Sequence, residues 1–311
     1  MKAIICPKYG PPEVLQLKEV EKPTPKPNEV CIKIYATAVT ASDIFIRGSQ
    51  LPIQFWIPMR LFVGLTKPRK SILGLVLGGV VESVGKDIKR FKAGDQVYGI
   101  TGFGFGTYAE YKCMQEIDST NGCLALKPDN ITFEEATSAA YGGLLALQYI
   151  EKGNIQRGQK VLIYGASGTS GTIAVQVAKY LRAEVTGVCS TGNLELVKSL
   201  GADKVIDYTS EDSVNEIEKY DFIMDAVGKS KSSKLKRICQ KALLPHGRYI
   251  SIDDGKLLLQ SERLMKLKEL ISSGHIKPVV DRVYSLEQIV EAHEYVSKGH
   301  KKGGVAITVT K

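Results

Sequence analysis

Residues 160–171 read KVLIYGASGTSG. Val161 to Tyr164 form an apolar run behind Lys160, with the length and composition of a strand buried on both faces. Gly165, Gly168 and Gly171 follow at even spacing, and in the next stretch, TIAVQVAKYL, Ile173, Val177, Tyr180 and Leu181 recur at helical intervals. Strand, glycine turn and amphipathic helix in that order make the phosphate cradle of a dinucleotide-binding fold. Gly165 allows the tight turn, Gly168 the approach of backbone to a pyrophosphate, and Gly171 the packing of helix on strand. Helix amides and dipole then face the anion.

Three spaced glycines alone are also compatible with a structural turn, so the flanking pattern decides. A second strand, Glu184 to Val188, follows after a short turn. A third, Lys204 to Ile206, comes after a helix, Leu194 to Leu200, that Gly201 closes. This is βαβ order. A site preferring NAD usually ends its second strand in a carboxylate that binds the ribose 2′-hydroxyl. Here the strand runs out as Cys189, Ser190, Thr191, Gly192, Asn193. Hydroxyls and amides donate to a 2′-phosphate, whereas a carboxylate would repel it. NADP(H) is favoured, with NAD(H) still open because no Arg or Lys stands at the spot.

The chain has 311 residues, enough for two domains with well-formed cores, and 43% hydrophobic with 24% charged residues is a globular composition. Its six cysteines form no CxxC pair and read as reduced thiols, which suits a cytoplasmic protein. The start, MKAIICPKYG, lacks the apolar stretch of a signal peptide, and Ile72 to Val81 is too short to span a bilayer. The net charge of +9 gathers at 67–70, 229–241 and 298–302 without interleaved aromatics or a nucleic-acid motif. It reads as a solvated surface whose field attracts an anionic cofactor rather than as an RNA or DNA face.

Before the glycine turn the pattern is β. Two short strands flank Gly10 to Pro12, EKPTPKPN is an extended connection, and Val30 to Ala38 is a strand with Lys33 outward. Residues 49–71, with Trp56, read as an irregular lobe over the substrate site. Three strands follow from Ile72, and TGFGFG places Phe103 and Phe105 where they line a substrate pocket or pack the loop itself. Helices are expected at Thr132 to Gly143, with Thr132 and Glu135 at capping-box spacing, and at Leu144 to Lys152. Further strands are expected at 221–225 and 248–252, then a helix at 260–272. A strand at 276–280, a helix at 286–298 and a strand at 305–309 complete the chain.

This order of parts resembles the medium-chain dehydrogenases/reductases, and within them the zinc-free quinone oxidoreductase-like (zeta-crystallin-like) branch. The agreement runs through GPPEVLQLKEVEKPTPKPNEV, VVESVGKDIKRFKAGDQVYG, GASGTSG, SLGADKVIDY, DFIMDAVG and HIKPVVDRVYSLEQIVEAHEYV. The resemblance implies an α/β architecture. A GroES-like β-barrel catalytic domain (1–127) would be completed by the C-terminal return (269–311), with a doubly wound Rossmann domain inserted (128–268). It implies that Ser167, Thr169 and Ser170 serve the pyrophosphate turn. Ser190, Asn193 and Tyr208 would lie by the 2′-phosphate, and Ala226 and Val227 against the cofactor.

Zinc-bearing members of that family place a cysteine where Thr40 stands here and a His-Glu pair where Leu75 and Val76 follow Gly74. A threonine and two apolar residues do not bind zinc, so a metal-free site is expected. Without a Lewis acid, hydride transfer to an activated acceptor is the favoured chemistry: a quinone or another α,β-unsaturated carbonyl. Thr40 and Ser42 are the candidates for polarising or orienting the substrate, against a role capping their own turn. Two alternatives are a zinc-independent alcohol or aldehyde oxidoreductase, and a non-catalytic NADPH- or RNA-binding protein. Between Ile252 and Ser261 only DDGKLLLQ intervenes, where relatives carry a further helix and strand. That edge usually pairs subunits, so the usual family dimer is not expected.

Overall fold

The computed structural model describes residues 1–48, 63–229 and 232–310. Trp56, and residues 49–62 of the expected irregular lobe, lie outside them. The chain divides into two compact units. One holds Met1–Tyr141, Leu259–Lys268 and Val280–Lys311, and the other Gly142–Leu258 with Glu269–Val279.

In the first unit β1 (Lys2–Ile5) pairs antiparallel with β2 (Gln16–Glu19). The larger sheet is built on β3 (Glu29–Ala38), β4 (Val76–Val84), β5 (Gln96–Ile100), β6 (Tyr111–Gln115) and β7 (Cys123–Leu126). The last two strands of the chain, β13 (Val280–Ser285) and β14 (Gly304–Thr308), complete it. The order is β13-β14-β3-β4-β5-β7, with β6 on β3. β14 returns antiparallel to β3, Ile307 opposite Thr37, so the end of the chain finishes a sheet begun near its start. Inward alternation of Val30, Ile32 and Ile34 meets Leu77, Val81, Val97 and Leu124 in one core. A second core joins Ile4, Leu73 and Tyr108 to Ile289, Val305 and Ile307.

The second unit carries a five-stranded sheet of β8 (Lys160–Tyr164), β9 (Glu184–Cys189), β10 (Lys204–Asp207), β11 (Tyr220–Asp225) and β12 (Leu243–Ser251). All neighbours are parallel in the order β10-β9-β8-β11-β12. In sequence terms this is 3-2-1-4-5, the doubly wound order with no sixth strand among the described residues. The order reverses between β8 and β11, and ligands of such sheets bind outside the carboxyl ends there. β12 is an edge strand, as the short 253–260 segment implies.

Several boundaries differ from those expected. One helix, α2 (Phe133–Gly153), replaces two, and runs through Gly142, where a Cβ would collide with the Thr169 carbonyl. Its capping box is present: Thr132 N donates to Glu135 Oε2 (2.8 Å) and Glu135 N to Thr132 Oγ1 (3.2 Å). The two units divide within this helix rather than at 127/128. Residues 269–279 stay with the nucleotide unit, since Gln176 donates to Lys277 O (3.1 Å) and accepts from Lys277 N (2.8 Å). β12 starts at Leu243 instead of 248, and β13 occupies 280–285 instead of 276–280. Tyr180, expected on the buried face, is 47% exposed.

Candidate functional site

The glycine turn has the form its spacing predicts. Gly165 sits at φ +83°, a left-handed conformation that favours glycine. A Cβ on Gly171 would strike the Gly165 carbonyl, so α3 (Thr169–Tyr180) packs directly on the turn. Ser170 and Gly171 lie in its first turn, where amides have no carbonyl four residues back within the helix. Thr169 opens that turn after Gly168, its N-cap. An anion at this point would meet amides and the positive end of the helix dipole.

The end of β9 comes to the same place. Asn193, 7% exposed, donates from Nδ2 to Ser167 Oγ and to Ser190 Oγ, each at 3.1 Å. Both serines therefore accept from the amide and keep their own protons to donate. The Asn193 Oδ1 is buried without a partner among the described residues, an acceptor that a ligand hydroxyl or amine would satisfy. Two serine hydroxyls and an orphaned amide oxygen beside a glycine turn fit the adenosine side of a dinucleotide.

A carboxylate does stand nearby, on the next strand. Asp207 at the end of β10 accepts from Thr191 Oγ1 (2.5 Å) and Thr209 Oγ1 (2.7 Å). Burial pushes its pKa up, but these hydroxyl bonds outweigh that and hold it below the usual value. Tyr208 beside it is 44% exposed.

On the other side of the switch point, the 226–228 turn is held from beneath. Ala226 N donates to Tyr164 O (2.9 Å), and the Val227 side chain packs over Gly165. Asp225 Oδ1 accepts from Val227 N (3.1 Å) and Gly228 N (3.2 Å), and Oδ2 from Tyr249 Oη (2.8 Å) and Ser251 Oγ (3.1 Å). Lys236 on α4 (Lys234–Lys241) reaches the same carboxylate and the Gly228 carbonyl. The lysine is 3% exposed and the aspartate fully buried. The sequence reading missed this lysine among the surface charges of 229–241. Four partners on the Asp225 carboxylate were the signal that only the fold could give.

In the first unit, Thr40 and Ser42 sit at the start of α1 (Ala41–Gly48), with different commitments. Thr40 Oγ1 donates to Asp43 Oδ2 (2.6 Å), which also accepts from Thr40 N (2.9 Å). Its proton is spent on the local turn. Ser42 Oγ instead lies 2.8 Å from Tyr141 Oη on α2, a residue the sequence did not single out. Asp43 is the end of a buried polar chain. Arg47 Nε donates to His293 Nδ1 (3.2 Å), so the neutral ring carries its proton on Nε2, 3.1 Å from Tyr108 Oη, and Tyr108 lies beside Asp43. Burial raises the Asp43 pKa to about 6, against the bonds from Thr40. Burial, and then Arg47, lowers that of His293 to about 3.

Phe103 is 39% exposed, whereas Phe105 is 5% exposed and packs with Val63 and Leu75. That apolar cluster includes one of the positions where zinc-bearing dehydrogenases place ligands. Leu75 and Val76 are buried and Thr40 is bonded to Asp43, so these residues offer no imidazole, thiolate or carboxylate and do not fit zinc. No helix among the described residues is long and apolar enough to cross a membrane.

Comparison with known proteins agrees with this geometry. Residues 26–124 match the alcohol dehydrogenase GroES-like domain, and 171–271 and 255–307 match models described as zinc-binding dehydrogenase. The chain is 33% identical to 2-methylene-furan-3-one reductase of Solanum lycopersicum, over 99% of its length and 79% of that protein. It is 30% identical to a chloroplastic NADPH-dependent alkenal/one oxidoreductase of Arabidopsis thaliana, with the same coverage. The solved quinone oxidoreductase of Coxiella burnetii superposes with a TM-score of 0.83 at 27% identity, covering 100% of this chain and 99% of that one. With a β domain finished by its last strand, a parallel sheet wound around a glycine turn, and relatives along its whole length, the chain belongs to the medium-chain dehydrogenase/reductase superfamily, in its quinone-oxidoreductase-like branch.

Proposed function

We propose that this chain is an NADPH-dependent oxidoreductase that reduces quinones or other α,β-unsaturated carbonyls without zinc. The observation that carries this reading is the Ser167–Asn193–Ser190 cluster at the Gly165–Gly171 turn. Its two hydroxyl donors, with no carboxylate between them, support a 2′-phosphate as the group bound there. When bound, the reduced nicotinamide supplies a hydride to an electron-poor carbon. First-turn amides of α3 bind the pyrophosphate, and Asp225 with Lys236 fixes the 226–228 turn against which Ala226 and Val227 hold the cofactor.

Thr40, Leu75 and Val76 supply no Lewis acid, so the acceptor must already be activated by conjugation. Thr40 orients the start of α1 through Asp43. Ser42, 2.8 Å from Tyr141 Oη, is the donor assigned to the substrate oxygen, where negative charge develops. Names of relatives that act on alkenals, enones and quinones point to the same substrate class.

The test is consumption of NADPH, followed at the nicotinamide absorbance, with an enone, a quinone, a saturated aldehyde and a primary alcohol as separate partners. Turnover with the first two, unchanged by a zinc chelator, is expected. Activity confined to the aldehyde or alcohol, or loss of rate on chelation, would overturn the assignment. We further propose that β12, with no sixth strand beside it among the described residues, does not form the continuous-sheet dimer. Sedimentation of the purified protein should show no stable dimer paired along Leu243–Ser251.

A further inference from the structure

Cys31 on β3 and Cys113 on β6 face each other directly in antiparallel register. The kind of pair they form follows from the ladder. Ile34 N donates to Glu110 O (2.8 Å) and Glu116 N to Asn28 O (3.4 Å), so the even-numbered residues form the hydrogen-bonded pairs. Cys31 and Cys113 therefore make a non-hydrogen-bonded pair, the closer kind, with Cα atoms about 4.5 Å apart. That separation falls within the range a disulfide spans. Both side chains project to the same face of the sheet, and Cys31 Sγ donates to Pro23 O at 3.8 Å.

The remaining cysteines are placed differently. Cys6, Cys123, Cys189 and Cys239 are buried as free thiols, and burial pushes their pKa values to about 11, 12, 11 and 12. Cys31, with Lys22 nearby, is instead lowered, chiefly by its contact with Cys113, while that contact and burial raise Cys113. Cys113 is half-buried, while Cys31 lies beneath the surface at 1% exposure. An oxidant arriving from solvent thus meets Cys113 first, with Cys31 already at hand to resolve the product.

We propose that Cys31 and Cys113 are a modification site, oxidised to a cross-strand disulfide by low-molecular-weight disulfides such as glutathione disulfide. Cys113, the partner that solvent reaches, gives up its proton as it attacks one sulfur of glutathione disulfide, forming a mixed disulfide and releasing one glutathione thiolate. The Cys31 thiolate then attacks the Cys113 sulfur, forming the intramolecular bond and releasing the second. The two protein thiols lose two electrons and two protons, and glutathione disulfide takes them up as two glutathione molecules. The new bond ties β6, which pairs only with β3 among the described strands, to the centre of its sheet.

The test is peptide mapping by mass spectrometry of the full chain after incubation with glutathione disulfide under non-denaturing conditions. Expected is one cross-linked species joining the peptides that hold Cys31 and Cys113, lighter by two hydrogens and reversed by dithiothreitol. The other four cysteines should stay unmodified, and C31S should leave Cys113 carrying a glutathione adduct. Wild-type protein in which Cys113 stops at the glutathione adduct, or in which neither residue reacts before the buried four, would overturn the proposal.

Discussion

Asp225 and Lys236 form an ion pair of 2.7 Å, fully enclosed by the nucleotide unit. Lys236→Met would leave the Asp225 carboxylate buried without its counter-charge, and the expected cost is about 3–5 kcal/mol of unfolding free energy. A urea titration measures it. The double variant D225N/K236M should be less destabilised than K236M, because no unpaired charge is left inside. If the single and double variants unfold at the same urea concentration, the pair is not what holds the 226–228 turn.

Gly171→Ala should abolish dinucleotide binding while Gly192→Ala leaves it intact. The first puts a methyl group into the Gly165 carbonyl, and the second meets nothing within 4 Å. Calorimetric titration with NADPH separates them. An expected loss of at least about a hundredfold for G171A corresponds to some 3 kcal/mol of lost binding.

Ser190→Ala tests the reading of cofactor preference. It removes one hydroxyl donor from the Asn193 cluster, and a hydrogen bond to a charged group is worth about 1.5–3 kcal/mol, so the Kd for NADPH should rise about tenfold or more. The Kd for NADH should hardly move. Equal weakening of both would place Ser190 away from the 2′-phosphate.

Ser42→Ala is expected to lower kcat by about a hundredfold with little change in KM, the signature of a donor used in the transition state. Tyr141→Phe should lower it less, since it only orients Ser42. Thr40→Val, by contrast, should act on stability, because the Thr40 proton already belongs to Asp43. A kcat loss for T40V as large as for S42A would exchange their roles.

His293 makes stability depend on pH. Its folded pKa of about 3 lies below the value of an unfolded histidine, so acid protonates the unfolded chain first. Its contribution is complete at neutral pH and is lost as pH falls from about 6.5 towards 3. Relative to H293Q, the wild type should lose about 2 kcal/mol between about pH 7.5 and pH 5. Comparing the two proteins removes the opposing contribution of Asp43, whose raised pKa favours folding as pH falls from about 6 towards 4. A difference that does not vary with pH would mean that the folded ring titrates as it does in the unfolded chain.

What the sequence made legible was whatever short-range rules govern. The Gly165 turn, the Thr132–Glu135 cap and the five strands of the parallel sheet follow from spacing and glycine placement within a few residues. What it hid depends on distant partners. Gly142 and Gly143 look like a helix break until Thr169 is placed beside them. Gln176 keeps 277 in the nucleotide unit through two bonds that no periodicity announces. Tyr141 and Lys236 acquire their roles from Ser42 and Asp225, one far along the chain and the other across a turn. Thr40 and Ser42 read alike as hydroxyl residues two positions apart, and only their hydrogen bonds tell them apart.

The return of β14 to β3 also sets a schedule for synthesis. The edge formed by Ala36, Thr37 and Ala38 is made early and has no neighbour until Gly304–Thr308 leave the ribosome. Over that interval the nucleotide sheet, encoded without interruption from Lys160 to Ser251, can fold on its own account, while the earlier strands wait with an open edge that invites mispairing.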